Sequence, residues 1–240
     1  MAKELIGYDA EEHAEVVSTL RAETDLKLYN IFKHFDPKGL RVVDVGCGDG
    51  IISRKLIDMG SELVLGIDSH PDMVKLAIKL SEEQEDSISY KQAFIEDCKG
   101  DESYDLAILA YLLNYAQTVE NLKAKCTAVA SFLKPGGKVV VFNNNPFDTV
   151  GGDFSKYGFR KKLTGLSEGA PIHFDYRPII TEDIVNFYLT PEEHIEAFKA
   201  AGFSEVRWEP LILPEGDDPS FWKEYYAREH LPVICMVAIK

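Results

Sequence analysis

A short apolar strand that runs into a turn with three alternating glycines is the feature that most constrains the fold of this chain. The run Val42–Gly50 reads Val-Val-Asp-Val-Gly-Cys-Gly-Asp-Gly, and the apolar spacing of a helix follows at once. Glycine has no Cβ, so its backbone can approach a ligand closely, and the start of a helix favours negative charge. The sequence therefore predicts a strand–turn–helix unit that binds a nucleotide-like ligand.

A second apolar run ends in a carboxylate at the position where such a site needs one. Leu63–Ile67 reads as a strand, and Asp68 follows it directly. In nucleotide-binding α/β folds, an acid at the end of the second strand meets the ribose hydroxyls. The glycine turn and Asp68 together predict a site for an adenosine-containing cofactor.

The spacing of the glycines distinguishes between two cofactors. Dinucleotide sites use Gly-x-Gly-x-x-Gly, and the helix that follows holds a pyrophosphate. Here the third glycine, Gly50, arrives one residue early, and Ile51 stands in its usual place. The spacing disfavours an NAD-dependent oxidoreductase, which stays as an alternative.

The pattern Asp44-x-Gly46-x-Gly48-x-Gly50 resembles the first motif of class I S-adenosylmethionine-dependent methyltransferases. This resemblance implies S-adenosyl-L-methionine as the cofactor, with its methionine end against the glycine turn and its ribose on Asp68. Later motifs of the family are matched by three further segments, namely Tyr104–Ala107, Leu133–Gly137 and Ala200–Phe203.

A narrower resemblance concerns the substrate. The segments Ala110–Ala116, Asn143–Pro146 and Lys156–Phe159 are similar to small-molecule methyltransferases of the toxoflavin-synthase type. Those enzymes N-methylate a fused heteroaromatic ring. The resemblance implies a small aromatic or heterocyclic acceptor and leaves its identity open.

Alternating strands and helices define the predicted fold class. Apolar runs predict strands at 41–45, 63–68, 88–93, 105–110 and 138–142, with two more near 205–213 and 233–239. Strands joined by helices require a parallel sheet with right-handed crossovers, whereas the last two suit an antiparallel pair. We expect an α/β fold with a seven-stranded, doubly wound, Rossmann-like sheet in a single domain of residues 1–240. Residues 1–38 would form an N-terminal helical cap and residues 143–188 a lid-like substrate insertion.

The residues predicted to bind the cofactor lie at the carboxyl ends of the strands. Asp44 either orients the glycine turn or helps to hold the cofactor ammonium, and Met73 either touches adenine or belongs to the core. Family members often carry an acid near the adenine amine where this chain has Ala93, so that backbone groups or Asp97 would replace it. The full predicted set is Tyr8, Asp44, Gly46, Cys47, Gly48, Gly50, Asp68, Ser69, Met73, Ala93, Phe94, Ala110 and Tyr111.

The residues predicted for the methyl acceptor follow the fourth strand or lie in the insertion. A polar amide between two aromatic rings, as in Tyr111–Tyr115, suits an apolar heterocycle, and buried packing is the alternative. The predicted substrate-binding residues are Asn114, Tyr115, Asn144, Tyr157 and Tyr188, with Tyr176, Trp208 and Trp222 as further wall candidates. The predicted catalytic residues are His173, as a proton acceptor near neutral pH, Tyr111 and Asn114.

Composition excludes several partner classes. The formal net charge is −14, whereas a nucleic-acid site needs a basic face. The sequence has no apolar run long enough for a membrane span and no secretory signal at its start. The four cysteines lack metal-ligand spacing, and we expect no metal and reduced thiols. We expect a cytoplasmic monomer or homodimer that methylates a small molecule on nitrogen or oxygen. A cofactor-binding protein without catalysis is the second alternative.

Overall fold

Seven strands form the central sheet of the structure, a computed structural model that describes residues 30–176, 184–211 and 219–240. The order across the sheet is β10-β11-β5-β4-β1-β2-β3. Strands β1 to β5 are parallel, and β11 runs antiparallel to both of its neighbours. The bounds are β1 (Arg41–Val45), β2 (Leu63–Asp68), β3 (Ser89–Gln92), β4 (Tyr104–Ala110), β5 (Leu133–Asn144), β10 (Glu205–Glu209) and β11 (Val233–Ile239). The predicted seven-stranded sheet is confirmed.

Helices cover both faces of this sheet. They are α1 (Ile51–Asp58), α2 (Pro71–Glu83), α3 (Val119–Phe132), α4 (Pro191–Ala200) and α5 (Pro219–Tyr226). In β4, Leu106 and Ile108 join the core beneath α1, while Ala107 and Leu109 join the core beneath α3 and α4. Because both faces are buried, the strand is apolar throughout and not alternating.

Helix starts follow the sequence with one exception. The run Thr190-Pro191-Glu192-Glu193 predicts a capping box at the start of α4. In the structure, Thr190 accepts a hydrogen bond from the backbone N–H of Glu193, whose side chain accepts one from the backbone N–H of Thr190, so this prediction is confirmed. The pattern Ser69-x-x-Asp72 predicts Ser69 as the cap of α2, which is wrong, because the N-cap residue is His70. Pro71 occupies the first helical position, where its fixed φ and missing N–H are tolerated, so the helix begins one residue later than the pattern suggested.

A second, four-stranded antiparallel sheet lies in the segment predicted as an insertion. Its strands, in order, are β6 (Gly152–Phe154), β7 (Phe159–Leu163), β8 (Pro171–Asp175) and β9 (Ile184–Phe187). Strand β5 continues through Asn144, two residues beyond its predicted end, so the first two residues of the predicted insertion belong to the central sheet. Its role as a lid stays a prediction.

A buried lysine ties this second sheet to two connections, the one after β5 through an ion pair and the one before β11 through a hydrogen bond. The Lys161 Nζ atom of β7 lies 2.9 Å from the Asp148 Oδ2 atom, and Lys161 also donates to the carbonyl of Pro232. Asp148 accepts a further hydrogen bond from the backbone N–H of Gly151. Burial lowers the pKa of Lys161, and the neighbouring carboxylate opposes that shift.

The predicted N-terminal cap lies mostly outside the described residues. Of that segment, Asn30–His34 form a 3-10 helix, whose His34 bonds to Glu209 of β10. The predicted cofactor ligand Tyr8 lies outside the described residues. None of the helices in the described part of the chain combines the length and the apolar character needed to cross a membrane.

Lys161→Met should lower the free energy of unfolding by about 3–5 kcal/mol, because it leaves the Asp148 carboxylate buried without its cation. Urea denaturation monitored by circular dichroism measures the change. Lys162→Met is the matched control, since Lys162 is the adjacent, exposed residue of β7, and it should change stability by less than about 0.5 kcal/mol. Equal losses in the two variants would contradict the importance of the ion pair.

Candidate functional site

The glycine turn joins the carboxyl ends of β1 and β2. Gly46, Gly48 and Gly50 have φ angles of +76°, +55° and +79°, in the left-handed region that favours glycine. The backbone N–H groups of Gly46 and Cys47 both donate to the carbonyl of Ile67 at the end of β2. The N–H of Gly50 donates within the turn, to the carbonyl of Cys47. These N–H groups are therefore used inside the protein, and not held for a ligand as the sequence suggested.

Asp68 closes the same junction from the side of β2. Its Oδ2 atom accepts a hydrogen bond of 2.9 Å from the N–H of Gly48, and its Oδ1 atom accepts one of 2.8 Å from the N–H of His70. Burial raises the pKa of Asp68, while the backbone donors oppose that shift. A carboxylate has about four acceptor positions, so these two bonds leave capacity for hydroxyl donors. Asp68 therefore lies at the junction with acceptor positions to spare, and its role as the ribose ligand stays a prediction.

Each of the three glycines makes room for a different side chain. A Cβ on Gly46 would lie 3.3 Å from Leu112, and one on Gly48 would lie 3.3 Å from the methyl group of Met73. A Cβ on Gly50 would lie only 2.3 Å from the hydroxyl of Tyr90. The third glycine of the motif is thus required by packing against Tyr90.

Tyr90 is a residue of this site that the sequence analysis missed. It lies on β3 directly opposite Gly66 of β2, and a Cβ on Gly66 would lie 2.6 Å from its ring. Its hydroxyl lies 3.0 Å from the Ser81 hydroxyl of α2, and burial raises the pKa of Tyr90 to about 12. The sequence does show a tyrosine on β3 and a glycine on β2, but pairing the two requires the register of these strands.

Two predicted cofactor residues have internal partners. Asp44 is fully buried, and its carboxylate accepts a 2.6 Å hydrogen bond from Ser53 of α1, which supports the prediction that it orients the turn. Cys47 is buried beside Gly66, and burial together with nearby carboxylates, that of Asp44 first, raises its thiol pKa well above the usual value. The thiol is therefore neutral. All four cysteines are buried and unpaired.

The start of α1 is already supplied with an anion. The buried carboxylate of Asp49 accepts a hydrogen bond from the N–H of Ile51, the first residue of the helix. In dinucleotide sites this helix terminus holds a pyrophosphate. The Asp49 carboxylate also lies 3.9 Å from the Arg54 guanidinium, so the N–H of Ile51 and this nearby cation already have an anion of the protein itself. The geometry therefore disfavours a pyrophosphate at this terminus, and with it NAD.

The end of β3 forms the predicted adenine side. The N–H of Ala93 donates to the carbonyl of Asp68, so the backbone of β3 follows β2 beyond the last strand pair. Phe94 precedes a 3-10 turn, Ile95–Asp97; Phe94 is half-buried, whereas Asp97 is exposed. Ser69 lies at the same edge, where its carbonyl accepts from Gln92. The roles of Ser69, Ala93 and Phe94 in binding stay predictions.

The end of β4 carries a strained residue. Tyr111 has a φ of +60°, which few non-glycine residues adopt, and such strain is concentrated at functional sites. Its N–H donates to the carbonyl of Phe142 on β5, and its ring packs edge-on against the Phe142 ring. Ala110, directly before it, is half-buried. Tyr111 is therefore held at the edge where the sequence placed it.

Buried amides continue this edge. The Oδ1 atom of Asn114 accepts a 3.0 Å hydrogen bond from the N–H of Asn144, the last residue of β5. The side chain of Asn144 donates in turn to Asn186 of β9, also at 3.0 Å. Tyr115 lies in the same 3-10 turn as Asn114 and is half-buried. The structure thus brings Tyr111, Asn114 and Asn144 together, and it adds Asn186, which the sequence analysis missed.

His173 lies on the other side of the second sheet. In β8, Ile172 and Phe174 point to the buried face, which also carries Asn186, while His173 pairs with Val185 on the opposite face. Because strand side chains alternate, His173 is directed away from the amides at the end of β5. This placement does not support the predicted role of His173 as general base.

Most of the predicted wall residues are packed elsewhere. The hydroxyl of Tyr157 bonds to the backbone of Phe221 and Tyr225, and its ring stacks on Trp222 in a buried aromatic cluster. Tyr188 and Tyr176 pack with the core of the second sheet. The ring of Trp208 on β10 contacts His194 and Phe147. These contacts correspond to the packing alternative, and a substrate role for these residues stays a prediction.

Comparison with known proteins agrees with this arrangement of strands and glycines. Residues 42–137 match a protein family described as "Methyltransferase domain". This segment contains β1 to β4, the glycine turn and Asp68. Residues 42–137 belong to the class I methyltransferase family. The predicted family is confirmed, with S-adenosylmethionine as its cofactor, and the toxoflavin-synthase-like subgroup stays a prediction.

Similar proteins include two ubiquinone biosynthesis O-methyltransferases. The chain is 33% identical over 128 residues to a ubiquinone biosynthesis O-methyltransferase of Xanthomonas axonopodis, with 52% of each chain covered. It is 28% identical over 178 residues to a protein of the same name from Coxiella burnetii, covering 74% of this chain and 69% of that one. The match therefore spans about half the length of the Xanthomonas relative and 69% of the Coxiella relative.

A solved structure supports the fold. The S-adenosylmethionine-dependent methyltransferase from Mesorhizobium loti superposes with a TM-score of 0.60 at 20% identity, over 95% of this chain and 100% of that chain.

Gly66→Ala should weaken S-adenosylmethionine binding at least about tenfold, because the new methyl group collides with the Tyr90 ring beneath the turn. Overpacking of this kind costs about 1–3 kcal/mol. Isothermal titration calorimetry measures the change. The double variant Gly66→Ala/Tyr90→Ala should bind more tightly than Gly66→Ala alone, since the collision is removed. Gly165→Ala, where a Cβ meets ordinary contact, is the control. No improvement in the double variant would refute the account of Tyr90.

Asp68→Asn should weaken S-adenosylmethionine binding about 10- to 100-fold, because hydrogen bonds to a charged group contribute about 1.5–3 kcal/mol. In the unaltered protein, only the carboxylate accepts from Gly48 and the ribose, so protonation weakens binding. Since burial raises the pKa of Asp68, affinity should fall on acidification sooner than an exposed aspartate would allow. Calorimetry over a pH series checks both points. If the affinity of Asp68→Asn still falls at low pH, the loss of affinity on acidification comes from another group.

Proposed function

We propose that this chain transfers a methyl group from S-adenosylmethionine to a nitrogen or oxygen atom of a small aromatic or heterocyclic acceptor. The observation that carries the proposal is the junction of β1 and β2. There Asp68 is held by the N–H of Gly48, while the N–H groups of Gly46, Cys47 and Gly50 have internal acceptors. Such a junction offers a carboxylate for ribose hydroxyls and backbone carbonyls for an ammonium group.

The residues present fit this cofactor by their chemistry. S-adenosylmethionine supplies an electrophilic methyl group on a positively charged sulfur, and it carries no phosphate. Asp68 would hold the ribose, and the carbonyls of the glycine turn would hold the ammonium group. The position of Asp49 at the start of α1, which opposes a phosphate, does not oppose a cation.

The acceptor side is predominantly neutral. Tyr111 and Phe142 provide aromatic surface, and Asn114 and Asn144 provide amides at the ends of β4 and β5. Apolar walls with a few placed polar groups are typical of small-molecule sites. These side chains support an uncharged, planar acceptor over a highly charged one.

Positioning is the main catalytic contribution that these residues offer. Holding a nucleophile in line with a reacting carbon is worth up to about 7–11 kcal/mol of the barrier. Tyr111 and Asn114 would orient the acceptor, since the first is fixed by its bond to Phe142 and the second by its bond to Asn144. A ring nitrogen then needs no strong base, whereas a hydroxyl has to lose a proton, for which Tyr111, three residues before Asn114, is the candidate.

Two lines favour different acceptor atoms within this proposal. The similar proteins from Xanthomonas and Coxiella are named O-methyltransferases, which supports a phenolic hydroxyl. The sequence resemblance to toxoflavin-synthase-like enzymes supports a ring nitrogen.

Purified protein should convert S-adenosylmethionine to S-adenosylhomocysteine in the presence of a suitable acceptor. Catechol tests the hydroxyl, and lumazine, a fused heterocycle, tests the ring nitrogen, with the methylated product identified by mass spectrometry. Asn114→Ala should lower kcat about 10- to 100-fold and leave the Kd for S-adenosylmethionine within about twofold, because Asn114 acts on the acceptor side.

The two alternatives predict different results. Tight binding of S-adenosylmethionine without turnover on either probe or on a metabolite extract would favour a binding protein without catalysis. Enhanced NADH fluorescence on mixing, without calorimetric binding of S-adenosylmethionine, would favour an oxidoreductase and end the proposal.

A further inference from the structure

We propose that Asn186 is a positioning residue that locks the acceptor-side amides and thereby couples the second sheet to the reaction site. The effect on catalysis rests on the proposed function, but the hydrogen bonds themselves can be tested without any methyl acceptor. The arrangement involves three asparagines, Asn114, Asn144 and Asn186, which we call the amide relay.

The amide relay is a continuous chain of hydrogen bonds. The backbone N–H of Asn144 donates to Oδ1 of Asn114, and the side-chain NH2 of Asn144 donates to Oδ1 of Asn186, both at 3.0 Å. The side chains are 2%, 6% and 4% exposed in the order 114, 144 and 186, so water competes little for these bonds.

The amide relay joins elements that are distant in sequence. Asn114 lies in the 3-10 turn Leu113–Tyr115 after β4, Asn144 ends β5, and Asn186 lies in β9. The first two elements belong to the edge of the central sheet where open α/β folds bind ligands. The third belongs to the inserted sheet. Asn186 is therefore the point at which the insertion bonds to the acceptor side.

An asparagine at position 186 is unfavourable for strand packing alone. Its neighbours across the small sheet on the buried face are apolar, with Ile172 directly opposite. Among the residues that the structure describes, its Nδ2 atom is buried and has no hydrogen-bond partner. Burying a polar group without a partner costs free energy. Within the described part of the chain, the side chain of Asn186 makes one hydrogen bond, which it accepts from Asn144, and this bond is the reason for an asparagine at this position.

The amide relay fixes the orientation of the acceptor-side amide. Because Oδ1 of Asn114 is committed to the N–H of Asn144, the NH2 group of Asn114 is held on the other side of the side chain. Asn186 restrains Asn144 through its side chain, and Asn144 restrains Asn114 through its backbone. A loss at position 186 is thus expected to loosen Asn114 without touching the cofactor turn.

The test compares three variants in the full chain. Asn186→Leu keeps the volume and removes the acceptor, Asn186→Asp keeps an acceptor oxygen for Asn144, and Val185→Ala is the matched control on the opposite face of the same strand. Residue-level hydrogen exchange by NMR reports on the N–H of Asn144. Calorimetry measures S-adenosylmethionine binding, and kcat and KM are measured with whichever of catechol and lumazine is methylated. Asn186→Ala replaces Asn186→Leu if the latter does not fold.

The expected result is a selective loss. In Asn186→Leu, the Asn144 N–H should exchange at least tenfold faster and kcat should fall at least tenfold, while the S-adenosylmethionine Kd and KM stay within twofold. Asn186→Asp should restore most of the Asn144 N–H protection and most of kcat, and Val185→Ala should change neither of these two quantities. Unchanged Asn144 exchange in Asn186→Leu would overturn the inference, even if no acceptor is methylated. Equal effects of Val185→Ala, or no rescue by Asn186→Asp, would also overturn it.

Discussion

The hydrogen bond between the N–H of Gly48 and the carboxylate of Asp68 is the interaction on which the cofactor site depends. It links a turn after β1 with the end of β2, and the paired bonds from Gly46 and Cys47 to the Ile67 carbonyl reinforce the same junction. Because these N–H groups are bonded inside the protein and the Asp49 carboxylate lies at the start of α1, the junction offers few donors to a phosphate.

The acceptor side depends on a different kind of contact. The ends of β4 and β5 supply Tyr111, Asn114 and Asn144, but their orientation is set by bonds that cross between elements. The second sheet contributes through Asn186 and is itself anchored by the buried Lys161–Asp148 pair. Buried polar groups are favourable only when they are satisfied, so such contacts tend to specify one arrangement. In the proposed function, the central sheet would therefore hold the cofactor, while the acceptor side would require the insertion.

The sequence was sufficient for the central sheet and for the residues at the ends of β1 and β2. The hydrophobic periods of strands and helices are local features of the sequence, and Asp68 is recognised because it directly follows an apolar run. Both the elements and Asp68 can therefore be predicted without knowing which strands pair. Tyr90, Asn186 and His173 differ, because their roles depend on strand register. The contact of Tyr90 with Gly66 depends on the register of β2 and β3. The direction of His173, away from the amides, depends on the register of β8 and β9. A shift of one residue would reverse each face, and periodicity alone does not fix that shift.

Glycines in this site show why a motif is not a description of contacts. The sequence pattern attributes all three turn glycines to close approach of a ligand, yet Gly50 is required by the Tyr90 hydroxyl and Gly48 lies against Met73. Glycines in a motif of this kind therefore meet two requirements, the left-handed φ of the turn and the space for the side chains that pack against it. Tyr111 shows the converse case. It keeps a φ of +60° although it has a side chain, at a cost of about 1–3 kcal/mol, because its N–H extends the pairing of β4 with β5 by one residue. A glycine there would relieve the strain but would remove the ring that packs on Phe142 at the acceptor edge.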